Sequence, residues 1–139
     1  MTASSEPAAS EPASSEPAAS EPVGLATVRR LCLALPEVTE RTSHGEPCWF
    51  VRDKKMFAMF ANQHHDDRVG CWLAADQGEQ QALVTDDPER FFVPPYVGAR
   101  GWIGVRLDRP GLEPAVLAEL ITEAYRVVAP ARLAAQLPS

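Results

Sequence analysis

From Leu25 onward the apolar positions follow two distinct periods. Leu25, Val28, Cys32 and Leu35 recur at i, i+3, i+7 and i+10. That spacing is one face of a helix, and Pro36 stops it. The stretch that follows, VTERTSHGEPCWFVRDKKMFAMFA, changes to short apolar runs broken at Gly45 and Pro47. It predicts strands over 38–43, 48–52 and 55–61, with a tight turn at Asp53-Lys54 before the third. After the polar NQHHDDR, residues 68–75 alternate as a fourth strand. Asp76 and Glu79 have the spacing of a capping box, predicting a helix from about Gln77 to Val84. Asp87-Pro88 predicts one short helical turn through Arg90. Residues 102–108 read as a last strand. Leu117, Leu120, Ile121, Ala124 and Val128 then form the apolar face of a long helix ended by Pro130, and Leu133 and Leu137 suit a short closing helix. Strands joined mainly by hairpins and flanked by helices define an α+β two-layer sandwich, with an antiparallel sheet and the helices on one face.

Alternation also assigns faces. Ile103, Val105 and Leu107 share one side of the last strand, toward the helices, and Trp102, Gly104 and Arg106 share the other. In the fourth strand Val69, Cys71 and Leu73 oppose Gly70, Trp72 and Ala74. Trp72 and Trp102 are therefore placed together on the face away from the helices, each beside a glycine that permits close approach. Two readings follow. Either the pair is an exposed aromatic patch with Tyr96, suited to stacking a base or gripping a partner, or the proline-stiffened VPPYVGARG segment folds over it and makes a second small core.

Composition changes the picture at the N-terminus. Ser-Glu-Pro recurs every five residues, at Ser5, Ser10, Ser15 and Ser20, and residues 1–22 hold almost no large apolar side chain. This segment is expected to be a disordered acidic tail, leaving 23–139 as the folded domain. Its glutamates supply −4 of the net −6. The acidic balance counts against a strong non-specific polyanion binder but leaves room for a local basic patch. Three cysteines with no CxxC pair are read as free, buried thiols in a reducing cytoplasm. No apolar run approaches the ~18 residues of a membrane span. No signal-peptide pattern opens the chain.

Candidate chemistry is sparse. His64-His65-Asp66-Asp67 has metal-ligand residue types, but neighbours on an extended chain point apart, and a solvated loop is the simpler reading. His44 beside Glu46 has the types for acid–base work without a nucleophile in a recognisable elbow, so a turn histidine is favoured. No phosphate-binding glycine loop leads into a helix. No metal, cofactor or catalytic residue is expected. Arg52, Lys54 and Lys55 cluster at a hairpin tip, where they either reach a phosphate backbone or simply solvate the turn.

The segments LCLALPEVTERTSHGEPCWFVRDKKMFAMF, DDPERFFVPPYVGARGWIGVRLD and EAYRVVAP resemble the MmcQ/YjbR family, with similarity over nearly all of 25–137. The resemblance implies a secretion-chaperone-like fold, α-β(3)-α-β(2)-α. It also implies a non-enzymatic domain, described in the family as DNA-binding through a double-wing arrangement of hairpins. The positions that would serve as contacts are Arg52, Lys54 and Lys55, with Arg100 and Arg106 nearby. Weak, salt-dependent DNA binding is the first expectation. A protein-interaction or self-association module using the aromatic face (Trp72, Trp102, Tyr96) is the alternative.

Overall fold

A computed structural model describes residues 24–62 and 68–137. The expected acidic tail and the His64–Asp67 cluster lie outside the described residues. The elements are α1 (Leu25–Leu33), β1 (Val38–Ser43), β2 (Glu46–Val51), β3 (Lys55–Asn62), β4 (Val69–Leu73), α2 (Glu79–Asp86), β5 (Phe91–Phe92), β6 (Ile103–Arg106), α3 (Pro114–Val128) and α4 (Ala131–Ala134). A 3₁₀ turn, Val97–Arg100, precedes β6. All strand pairs are antiparallel, in the order β1-β2-β3-β4-β6-β5. The α+β sandwich with an antiparallel sheet is the expected one, but four strands precede α2, where α-β(3)-α-β(2)-α has three.

Hairpin chemistry sets the register. His44 (φ 54°) and Gly45 (φ 83°) both lie in the left-handed region, the requirement of a two-residue type I′ turn, and Ser43 pairs with Glu46 across it. The next turn centres on Arg52 (φ 55°) and Asp53 (φ 58°), closed by the Lys54 amide donating to the Val51 carbonyl at 3.0 Å. That is one residue earlier than the expected Asp53-Lys54 turn. Two non-glycine residues at positive φ are costly, and side-chain bonds hold them. Asp53 accepts from Thr39 Oγ1 at 3.3 Å and pairs with Arg41 at 3.0 Å, while Arg52 pairs with Glu37 at 3.4 Å.

Pairing then sorts the sheet into two faces. Trp49, Ala58, Leu73 and Ile103 sit in one cross-strand row, as do Phe60, Cys71, Val105 and Phe91. These rows face α1 and α3 around the buried Val28, Cys32, Leu117 and Ile121. Between Trp49 and Phe50 the register shifts, and Phe57 becomes the extra residue of a bulge. Its ring meets Tyr125 of α3 edge-on at 5.7 Å. The Tyr125 hydroxyl in turn donates to the Pro36 carbonyl at 2.8 Å, tying α3 to the exit of α1.

The expected capping box is not formed. The cap of α2 is Gly78 in the left-handed region, and the Glu79 amide donates to the Asp76 main-chain carbonyl rather than to its side chain. The flexible Gln77-Gly78 pair makes a backbone turn that starts the helix two residues late. β5 escaped the sequence pattern because two residues are too few to show alternation. Phe91 and Phe92 nevertheless close the sheet edge, pairing with Val105 and Gly104.

Candidate nucleic-acid interface

The sheet face opposite α1 and α3 carries the row Cys48, Met59, Trp72 and Gly104. Glycine is required in this region for space. A Cβ on Gly104 would stand 2.4 Å from the Phe92 ring, and one on Gly70 would stand 2.4 Å from the Val105 carbonyl oxygen. The expected close approach at both glycines is therefore filled by the protein itself. Trp72 and Trp102 do emerge on the same side, but each is only 4% exposed. The open two-tryptophan patch is thus corrected to a second small core. Its cover is the segment 93–101, fastened where Gln80 Nε2 donates to the carbonyls of Gly98 (2.8 Å) and Trp102 (2.6 Å). Tyr96 stands apart from that core, 74% exposed.

Two grooves open here. One, of about 490 Å³, is lined by His44, Phe50, Lys54, Lys55, Arg100 and Trp102 and reaches Val127 and Val128 at the end of α3. The other, of about 710 Å³, is lined by Met56, Met59, Trp72, Tyr96 and Val97, and shares His44, Met56 and Arg100 with the first. Among the described residues no carboxylate lines either groove. Lys54 and Lys55 are exposed and make no ion pair within the described residues. The Arg100 guanidinium lies 5.6 Å from the Trp102 ring centroid, and that of Arg41 lies 4.0 Å from the Phe50 ring centroid. Arg41 is also paired with Asp53 at 3.0 Å, whereas Arg100 makes no ion pair among the described residues. Carboxylates gather in a neighbouring hollow beside α3, where Asp76, Glu79, Glu119 and Glu123 lie and which shares Val127 with the first groove. A chain of net charge −6 thus presents a local positive surface.

The predicted contact residues do not all converge. Lys54, Lys55 and Arg100 meet at the first groove. Arg52 is turned to Glu37 by its left-handed backbone and is absent from that lining, though it meets Lys54 and Lys55 at an adjacent hollow against the end of α3. Arg106 sits beside Gly70, further along the strand, and clasps Asp108 with bonds of 3.2 and 3.3 Å. That hydrogen bond holds the Asp108 carboxyl below its ordinary range. His44, Arg41, Phe50 and Met56 belong to the surface and were not singled out for it. The available signal was the parity of β1 and β2: the register places Arg41 opposite Cys48, on the outward face.

The three cysteines are poorly suited to act as nucleophiles. Burial pushes the Cys48 thiol up to about 11 and Cys71 to about 12, and raises Cys32 further, so thiolate is scarce at neutral pH. All three cysteines are unbridged. The Glu46 carboxylate accepts the Asn62 amide at 3.1 Å, committing it to the end of β3. Among the described residues no group of three or more His, Cys, Asp and Glu side chains is placed to hold a metal ion. No described helix is long and apolar enough to cross a membrane.

The fold and the basic hairpin side define a small antiparallel α+β domain. A family model described as YjbR matches residues 33–127, and the chain belongs to that family. Among solved structures it is similar to the crystal structure of Deinococcus radiodurans protein DR2400, described with the domain DUF419. The identity is 20% and the TM-score 0.63, covering 80% of this chain and 86% of that one. That likeness shows the fold alone. No curated protein matches.

Proposed function

We propose that this YjbR-family domain is a non-enzymatic DNA-binding module, holding backbone phosphates with Lys54, Lys55 and Arg100. The observation that carries the reading is the convergence of these cations on one groove free of carboxylates among the described residues. Phosphate contacts supply affinity through counterion release and carry no sequence information themselves. With three contacts and an acidic chain, binding is weak and salt-dependent.

Fluorescence anisotropy of a labelled 20-mer tests this. Expected are micromolar or weaker affinity at low salt and a log–log salt slope of about −2 for a single strand or about −3 for a duplex. No binding at 20 mM salt, or a slope near zero, contradicts the reading.

A further inference from the structure

Tyr96 is held in an unusual way. Its backbone, φ 63° and ψ −69°, is that of a three-residue γ-turn with positive φ, and the Val97 amide donates to the Pro95 carbonyl at 2.6 Å. This turn is rare and strained for a bulky residue. Strain of this kind persists only where the surroundings over-determine it. Here they do. Pro94 and Pro95 fix the entry, and the Gly98 amide donates to the Pro94 carbonyl at 3.0 Å. Gly98 packs so tightly on Val93 that a Cβ would lie 2.6 Å from Val93 Cγ1. Gln80 anchors the exit through Gly98 and Trp102. The product of this fastening is a large aromatic ring left mostly in solvent, at the wall of the 710 Å³ groove.

That groove is apolar and deformable. Met56, Met59 and Val97 line it with Trp72, and methionines adapt to flat, irregular ligands. It is continuous with the cationic groove through His44, Met56 and Arg100. A strand whose phosphates lie along Lys54, Lys55 and Arg100 therefore has an aromatic and thioether-lined space next to its backbone. In a duplex the bases are stacked and paired and cannot enter it. In a single strand they can, and stacking on an exposed ring is indifferent to base identity.

We infer that Tyr96 and the adjoining Met56–Met59–Trp72 groove receive an unpaired base, making single-stranded DNA the preferred ligand. The inference rests on the phosphate-binding reading above. The strained turn fixes the Tyr96 backbone at the groove wall, so binding has only the side-chain rotamer to order.

The full chain is titrated with a dT 12-mer, with the same-length strand bearing abasic sugars, and with a 12-base-pair duplex. Expected is tighter binding of dT than of the abasic strand by about fivefold or more, the range for one stacked base. Tyr96→Ala should lower dT affinity by a similar factor and leave the abasic strand unchanged, while Tyr96→Phe keeps the preference. Equal affinity of the wild type for dT and abasic strands overturns the inference, whatever the variants do. So does a Tyr96→Ala loss shared equally by both strands. Loss of every ligand in Lys54→Glu/Lys55→Glu supports the underlying phosphate reading. Unchanged binding in that variant sinks the phosphate reading, an outcome distinct from failure of the base-stacking step.

Discussion

Reversing the two lysines of the β2–β3 hairpin, Lys54→Glu with Lys55→Glu, is expected to weaken DNA binding by at least about 100-fold. Each lysine offers a charge-assisted bond to a phosphate, of about 1.5–3 kcal/mol, and each glutamate adds repulsion. The salt slope should fall to about −1 or less, because only Arg100 remains. Both side chains are exposed, so the fold should hold to within about 0.5 kcal/mol. Arg106→Ala serves as the control. It changes charge in the same direction but outside the groove, where Arg106 is engaged with Asp108. It should alter affinity by less than about threefold. Anisotropy titrations at two salt concentrations check all of this. A large loss in the control, equal to that of the double variant, would mean the attraction is spread over the surface rather than localised in the groove.

The second large effect concerns the sheet that carries the groove. Trp49→Ala should destabilise the domain by about 3–5 kcal/mol, a large share of the ~5–15 kcal/mol typical of a domain. Trp49 is fully buried on the helix-facing side, and its Nε1 donates to Glu40 Oε1 at 3.0 Å. Glu40 is also gripped by Arg29 of α1, through Nε at 2.9 and 3.2 Å and Nη2 at 3.0 Å. The ring therefore fills the core and completes a hydrogen-bonded link between α1, β1 and β2. Trp49→Phe separates the two roles. It restores most of the packing and loses only the indole donor, so it should cost about 1–3 kcal/mol. Urea denaturation followed by circular dichroism measures both. A loss below 1 kcal/mol for Trp49→Ala would contradict the placement of this residue at the centre of the core.

Most of the fold could be read from periodicity. The faces of α1 and α3 follow from Leu25, Val28 and Cys32 and from Leu117, Ile121 and Ala124, all buried as their spacing requires. Strand parity also put Trp72 and Trp102 on one side. Parity cannot say what lies above a face, and the cover over the indoles comes from Gln80, far away in sequence, fastening the 93–101 segment. The same limit applies to the basic residues. Lys54, Lys55, Arg52, Arg100 and Arg106 are all visible as charges, but their directions depend on tertiary detail. A left-handed turn takes Arg52 to Glu37, and strand register takes Arg106 to Asp108. Tyr96 was visible as an aromatic between prolines and glycine. Its strained turn was not, because positive φ at a tyrosine runs against every local preference. The capping-box misreading has the opposite cause: a favourable local pattern, Asp76 to Glu79, gave way to a glycine two residues nearer the helix.

The most direct test of the whole account is a chemical-shift titration of the isotope-labelled chain with a dT 12-mer. The account predicts that amide shifts concentrate at His44, at Lys54 to Met56 and at Tyr96 to Trp102, with α1 unmoved. Binding that instead shifts α1 and the helix-facing strand residues, leaving those three segments unchanged, would contradict it.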